Sequence, residues 1–369
     1  MIITQGVVSG FQREVSGKIT GMASHVEMMD VRSLGSPENF AIDATPQVLQ
    51  QIRQVPEVQH VQRVAYKMGI LKTNEDFLAI QLKGFGADYD TTFLHSALTS
   101  GRLPRENEIL ISATQSAALH LQTGSKVFAY FFEDDIRMRR FTVSGIYETH
   151  MALFDKNVAF GTFATVAALN PWGNERPEAC SSLEIHLADR RAIPLAQPTL
   201  QKLAERHTQG NARALSIEEH YPQVFSWLNL LDINMLLILA LMVCVAGITM
   251  ISGLLILILE RTQTIGVLKA LGATNGAIRR TFLYFAAMII VRGMLYGNVL
   301  ALGIILTQQQ WGIIHLDPQT YYVDSVPVDL HLLPLLLINV STLLITTLAL
   351  VLPSYLVSRI QPAKAIRFE

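Results

Sequence analysis

The densest run of groups able to hold an ion is Glu133-Asp134-Asp135, followed by Arg137, Arg139 and Arg140. Carboxylates could gather a hard cation, and guanidiniums a phosphate. No other ligand type converges on them along the chain, and a solvated hairpin tip accounts for the run. The other spacings that carry chemistry are missing. There is no G-x-x-x-x-G-K-[ST], so the chain is expected to bind no nucleotide through a phosphate loop. H-E-x-x-H, C-x-x-C and G-x-S-x-G are missing too, and the histidines are scattered. Cys180 and Cys244 lie in segments of unlike character, so no structural disulfide is expected. No cofactor, metal or catalytic group is assigned to this chain; it reads as a non-catalytic subunit.

Composition explains why chemistry is scarce. Half of the 369 residues are hydrophobic and only 16% are charged. Residues 1–230 hold 21 of the 29 Lys and Arg and 24 of the 30 Asp and Glu. The rest of the chain reads as membrane. Met235–Leu259 is uncharged over 25 residues, which a helix stretches to ~37 Å, beyond a hydrocarbon core of ~30 Å. Thr281–Leu306 is a second span, interrupted by Arg292, and Leu330–Val357 is a third. A net charge of −1 gives no reason to expect nucleic acid.

The flanks orient the spans. Arg261, Lys269, Arg279 and Arg280 lie between the first two, and Arg359, Lys364 and Arg367 follow the third. The connection Thr307–Asp329 has no Lys or Arg. The positive-inside rule then places the first loop and the C-terminus in the cytoplasm and the soluble part outside. Met1–Ser9 has no signal-peptide pattern, while Val8, Phe11, Val15, Ile19 and Met22 recur at helical spacing. Residues 1–23 are read as the end of a first membrane helix and its stalk, its upstream part truncated. Arg292 lies 12 residues past Arg280, ~18 Å along a helix and close to mid-membrane. It is read either as snorkelling in a hydrated crevice or as meeting the missing helix, a partner chain or membrane lipid.

Residues 24–215 read as a mixed α/β domain. Strands are expected at 128–131, 140–143 and 182–187, short helices at Pro46–Val55 and Thr114–Leu121, and turns at Gly84–Gly86 and Gly124-Ser125. Ser216 and Glu219 fit a capping box that opens a stalk helix, 216–234, running directly into the first span. Residues 235–369 form the membrane domain. The loop Asn170–Ala179, stiffened by Pro171 and Pro177, exposes Trp172 at a tip or folds it back on the domain.

The segment Leu259–Thr274 reads LERTQTIGVLKALGAT. Ile265, Leu268 and Leu271 fall on one face, Gly272 can end the helix, and Thr274 can cap the next. Its residues alone leave open whether it is a partner site or an amphipathic connector. The run resembles the hallmark of FtsX-like ABC transporter permeases, E-[RK]-x-x-E-I-G-[IV]-L-[RK]-A-x-G-A. It departs at Thr264, where an acidic residue is usual, which alters one polar contact. QPAKAIRFE at the C-terminus resembles the family's P-x-x-A-[IL]-R-x-E ending, and TYYVDSVPVDL resembles a signature of its lipoprotein-releasing, LolC/LolE-type branch.

The resemblance implies an integral membrane α-helical protein with an extracytoplasmic mixed α/β domain, in the bacterial inner membrane. It implies that Glu260, Arg261, Ile265, Gly266, Leu268, Lys269, Leu271 and Gly272 contact a separate ABC ATPase, which binds ATP and Mg. A second permease copy or homologue, lipoprotein cargo and a soluble carrier complete the implied partners; if the loop Asn170–Ala179 corresponds to the hairpin with which a permease of that branch hooks the carrier, the resemblance implies Trp172 as the anchor and Arg176 as a rim contact. An efflux permease of the macrolide-exporter type and a membrane-anchored binding module without an ATPase remain the other readings.

The orientation is tested by labelling intact cells with an impermeant thiol reagent. Cysteines placed at Gly101 and Ser325 are expected to react and one at Thr274 to stay silent. Labelling at Thr274 with silence at Ser325 inverts the topology.

Overall fold

A computed structural model describes residues 1–36, 38–132, 136–208 and 210–355. The acidic run Glu133–Asp135 and the C-terminal QPAKAIRFE lie outside the described residues. Contacts divide the chain into two compact units. One comprises Glu14–Phe225 with Leu316–Asp324; the other comprises Met1–Arg13, Ser226–His315 and the chain from Ser325 onward.

The first unit is a mixed α/β domain. Its strands are β1 (Val26–Asp30), β2 (Ile42–Asp43), β3 (Val58–Lys72), β4 (Phe77–Phe85), β5 (Leu98–Gly101) and β6 (Glu108–Ser112). They continue as β7 (Lys126–Phe132), β8 (Ile136–Tyr147), β9 (Val158–Thr162), β10 (Ala179–Cys180), β11 (Ser182–Leu187) and β12 (Ala212–Ser216). The main sheet runs β12-β1-β11-β3-β4-β9-β6-β8-β5, with β7 pairing both β3 and β8. That double pairing closes β3, β4, β9, β6, β8 and β7 into a ring. The 15-residue strand β3 makes this possible. Its first half pairs with β11 and its last three residues with β7, while β4 runs along nine of its residues.

Strands form where alternation expects them: 128–131 lies in β7, 140–143 in β8, and 182–187 is β11. Apolar residues pointing into the ring, among them Leu71, Ile80, Val127, Phe131 and Phe141, form its core. The expected helices are Pro46–Arg53, capped by Thr45, and Ala113–Leu119, which opens with a full Ser112/Gln115 capping box. Gly124 takes φ +90 in the turn expected there. Gly84 differs from its expected place in a turn. It lies inside β4, where a Cβ would come within 2.6 Å of the Val166 side chain. The glycine marks close packing of a helix on the strand rather than a bend.

The stalk also differs. The Ser216/Glu219 capping box is present, but the helix it opens is only Ile217–His220. A new helix, Pro222–Glu260, starts after Tyr221. Proline disfavours helical backbone in the residue before it, and Tyr221 accordingly leaves the helix at φ −121, ψ 56.

The second unit holds three helices long and apolar enough to cross a membrane: Pro222–Glu260, Asn275–Trp311 and Leu332–Val351. A fourth helix, Ile2–Met22, begins here and carries close contacts at its glycines. A Cβ on Gly10 would lie 2.4 Å from the Pro327 carbonyl oxygen, and the Asp329 N–H donates to the Gly6 carbonyl at 2.9 Å. The loop bearing Pro327 therefore lies directly on that helix's backbone. Phe11 meets Trp227 edge-on, with ring centroids 6.5 Å apart.

Of the two readings of the loop Asn170–Ala179, the structure takes the one in which Trp172 folds back on the domain. Its side chain is 7% exposed and belongs to the ring's core. Asn170 donates to the carbonyls of Tyr66 and Val166, and the Gly173 backbone approaches the Ala167 carbonyl so closely that no Cβ would fit. These contacts fold the loop back on the domain, and Arg176 pairs with Asp43. Trp172→Ala is expected to cost about 3–5 kcal/mol by opening a core cavity. Thermal unfolding of the domain reads this out; an unchanged midpoint would mean that Trp172 does not support the core.

Candidate functional site

The segment between the first two spans is built by three local devices. Helix Pro222–Glu260 stops at Arg261, whose φ −98 and ψ 15 interrupt it for one residue. Helix Thr262–Ala270 follows at once, and Thr262 Oγ1 donates back to the Ile258 and Leu259 carbonyls. It ends in a complete Schellman motif: Gly272 N–H donates to the Lys269 carbonyl at 3.0 Å and Ala273 N–H to the Leu268 carbonyl at 2.9 Å. Gly272 takes φ +93, which glycine adopts without cost. Thr274 then caps Asn275–Trp311 by accepting from Ala277 N–H. Glycine and threonine thus hold the short helix between two spans with almost no intervening loop.

The two faces of that helix have different fates. Ile265 and Gly266 are buried, and Ile265 packs with Leu254, Ile258, Ile278, Ile290 and Leu350 from the three spans. The shared face expected of Ile265, Leu268 and Leu271 is therefore split. Ile265 is consumed by the chain's own core and cannot seat in a partner. Leu268 is 43% exposed and Leu271 80%, and both face away. Val267, not singled out from the sequence, is half exposed beside them. Its signal is a third apolar residue on a nine-residue helix, one apolar group too many for a single face. Glu260, Arg261 and Gly272 are exposed, and Lys269 is partly buried. Behind the segment, Arg279 donates to Ser354 Oγ and lies 3.7 Å from the centroid of the Tyr355 ring.

Arg292 is exposed on the second span, and it makes no ion pair among the described residues. Gly293 and Gly297 have open space where a Cβ would stand, so no helix of the described chain packs on that small-residue face. Next to Gly297, Asn298 donates to Asn339 of the third span at 2.9 Å. Charge patterning does not reveal that polar bond between apolar helices, because neither asparagine is charged.

The extracytoplasmic unit carries an apolar face outside its ring of strands. Phe128 and Phe132 of β7 point outward, and Ile136 and Met138 of β8 stand opposite Phe132 and Tyr130. Met68 of β3 and Phe77 of β4 are exposed on the neighbouring strands. Lys72 pairs with both Phe77 and Phe128, and Arg140 stands across from Phe128. The face is apolar at its centre with basic residues along one end. Contiguous apolar surface of this kind marks interaction sites. β7 is apolar on both sides, as Val127, Ala129 and Phe131 fill the core. Its sequence signal is a strand with one apolar face too many.

Comparisons with known proteins match both halves of the chain. Residues 1–203 match the MacB-like periplasmic core domain and residues 234–362 the FtsX-like permease C-terminal family. The lipoprotein-releasing system transmembrane protein LolC of Neisseria meningitidis serogroup B is 22% identical, with 100% of this chain and 91% of that protein covered. The corresponding LolE of Haemophilus influenzae is 20% identical, over 99% of this chain and 90% of that protein. The periplasmic region of MacB from Actinobacillus actinomycetemcomitans aligns at 15% identity and a TM-score of 0.38, covering 56% of this chain and 95% of that one. The chain belongs to the ABC transporter permeases that join a MacB-like periplasmic core domain to an FtsX-like permease region.

Proposed function

We propose that this chain is the permease subunit through which a separate ATPase, holding ATP and Mg, drives an extracytoplasmic domain from the bacterial inner membrane. The observation that carries the reading is the division of the helix Thr262–Ala270. Ile265 is locked among the spans, and Val267, Leu268 and Leu271 are left exposed beyond them. An apolar patch on a short helix held tightly between two spans suits a groove in a partner, because pushing on it moves the spans rather than bending a loop. Arg261 and Lys269 stand at the rim of that patch, with the C-terminus on the same, cytoplasmic, side. A second copy of the chain or a homologue would complete the permease.

The relatives named for lipoprotein release support the same output here: lipoprotein leaves the outer leaflet of the inner membrane and passes to a soluble carrier. With Trp172 buried, carrier docking falls to the outward face of β7 and β8. That face has the apolar centre the loop lacks, and its basic end suits a partner with carboxylates at the edge of its own apolar site.

Leu268→Asp tests the coupling. A desolvated anchor is worth at least about 2 kcal/mol when truncated, so ATPase co-purified with the chain should fall by more than tenfold. Helix content and thermal unfolding of the extracytoplasmic domain should stay unchanged. Undiminished ATPase recovery and undiminished release would make the helix a connector only.

A further inference from the structure

Strands β1, β11, β3 and β4 lie side by side and carry a row of polar groups on one face. Glu27 stands opposite Glu184, and Glu184 opposite Gln62. Lys83 stands opposite Tyr66. Lys83 is 2% exposed and Glu184 is fully shielded. Lys83 Nζ donates to Glu184 Oε1 at 2.6 Å; Tyr66 donates to the same oxygen at 2.9 Å and Gln62 to Oε2 at 2.8 Å. Burial alone would lower the Lys83 pKa, but the Glu184 carboxylate and the Tyr89 hydroxyl together outweigh it and hold the amine above its ordinary range.

This row does more than close the sheet. Lys83 Nζ also donates, at 2.7 Å, to the carbonyl of Met22, the last residue of helix Ile2–Met22. A buried ammonium thus sits at the negative end of a long helix, bonded to the Met22 carbonyl, which the helix itself leaves unpaired. The other end of the row reaches the second helical connection. Glu27 accepts from Ser182 at 2.6 Å, and its other oxygen lies 3.4 Å from His220 Nδ1, just before Pro222 opens the first span. Ile217 N–H donates to the His25 carbonyl at 3.0 Å.

Stability does not require charge at this place. Apolar residues of similar volume commonly replace a buried ion pair at no loss. An ion pair adds resistance to sliding, because separating opposite charges in a dry interior is steeply unfavourable, whereas apolar surfaces slip past one another. We infer that Lys83 and Glu184 form a latch that fixes the end of helix Ile2–Met22 to the sheet, so that movement of the helix end moves the domain. Both are positioning residues. The latch's use in transport rests on the coupling proposed above; its existence does not.

The test uses the full-length chain with spin labels at Glu14, on the helix, and Lys126, on β7. Wild type should give one narrow distance distribution. Lys83→Met alone strands a buried carboxylate and can fail to fold, so the deciding variant is Lys83→Met/Glu184→Leu, which removes both charges. It should keep the wild-type unfolding midpoint within a few degrees, hold ATP hydrolysis by co-purified ATPase within twofold, and broaden the Glu14–Lys126 distribution. A folded double variant with the wild-type distribution overturns the latch. A wild-type chain that recovers no ATPase refutes the coupling instead, and the distance distribution of the chain alone still decides the latch.

Discussion

A carboxylate with no exposed surface must meet a cation or take up a proton, and Glu184 meets Lys83. That requirement orders the centre of the extracytoplasmic domain. The cation sits on β4 and the carboxylate on β11, so β3 must lie between them and offer Tyr66 and Gln62 to the same group. A slip of one residue in any of these strands would turn its polar group into the apolar core. Four strands and the end of one helix are thereby held in a single register. β3 can then continue beyond the row into the ring that carries the exposed aromatic face.

The membrane-spanning unit has a different constraint: little separates its first span from its second. One non-helical residue at Arg261 and one positive φ at Gly272 bracket the short helix. With so little slack, its two faces cannot exchange. Ile265 goes inward, against Ile258 of the first span and Ile278 of the second. Leu268 and Leu271 are left outside. The same rigidity that exposes them would let a force applied there reach two spans at once.

Much of this is legible in the sequence, for identifiable reasons. The spans declare themselves by length without charge, and β11 by clean alternation. Ser216, Gly272 and Thr274 do so by the capping roles few other residues fill. The failures share a cause: each depends on what lies across space. Gly84 reads as a turn until Val166 is seen against it. Trp172 in a loop with two prolines can stand at a tip or fold back, and only the ties from Asn170 to Tyr66 and Val166 decide between the two. Ile265 and Leu268 are equivalent on a helical projection, and only the packing of the three spans separates them. The Lys83–Glu184 pair is invisible to local pattern, since its members are 101 residues apart.

The exposed side of the helix Thr262–Ala270, and not its buried side, is the surface proposed to receive an ATPase. Photo-cross-linking from single positions in membranes tests it most directly. A photoreactive residue at Leu271 should capture an ATP-hydrolysing subunit in high yield, and one at Ile265 should capture only the chain itself. Capture of that subunit from Ile265 but not from Leu271, or from neither, would contradict the account.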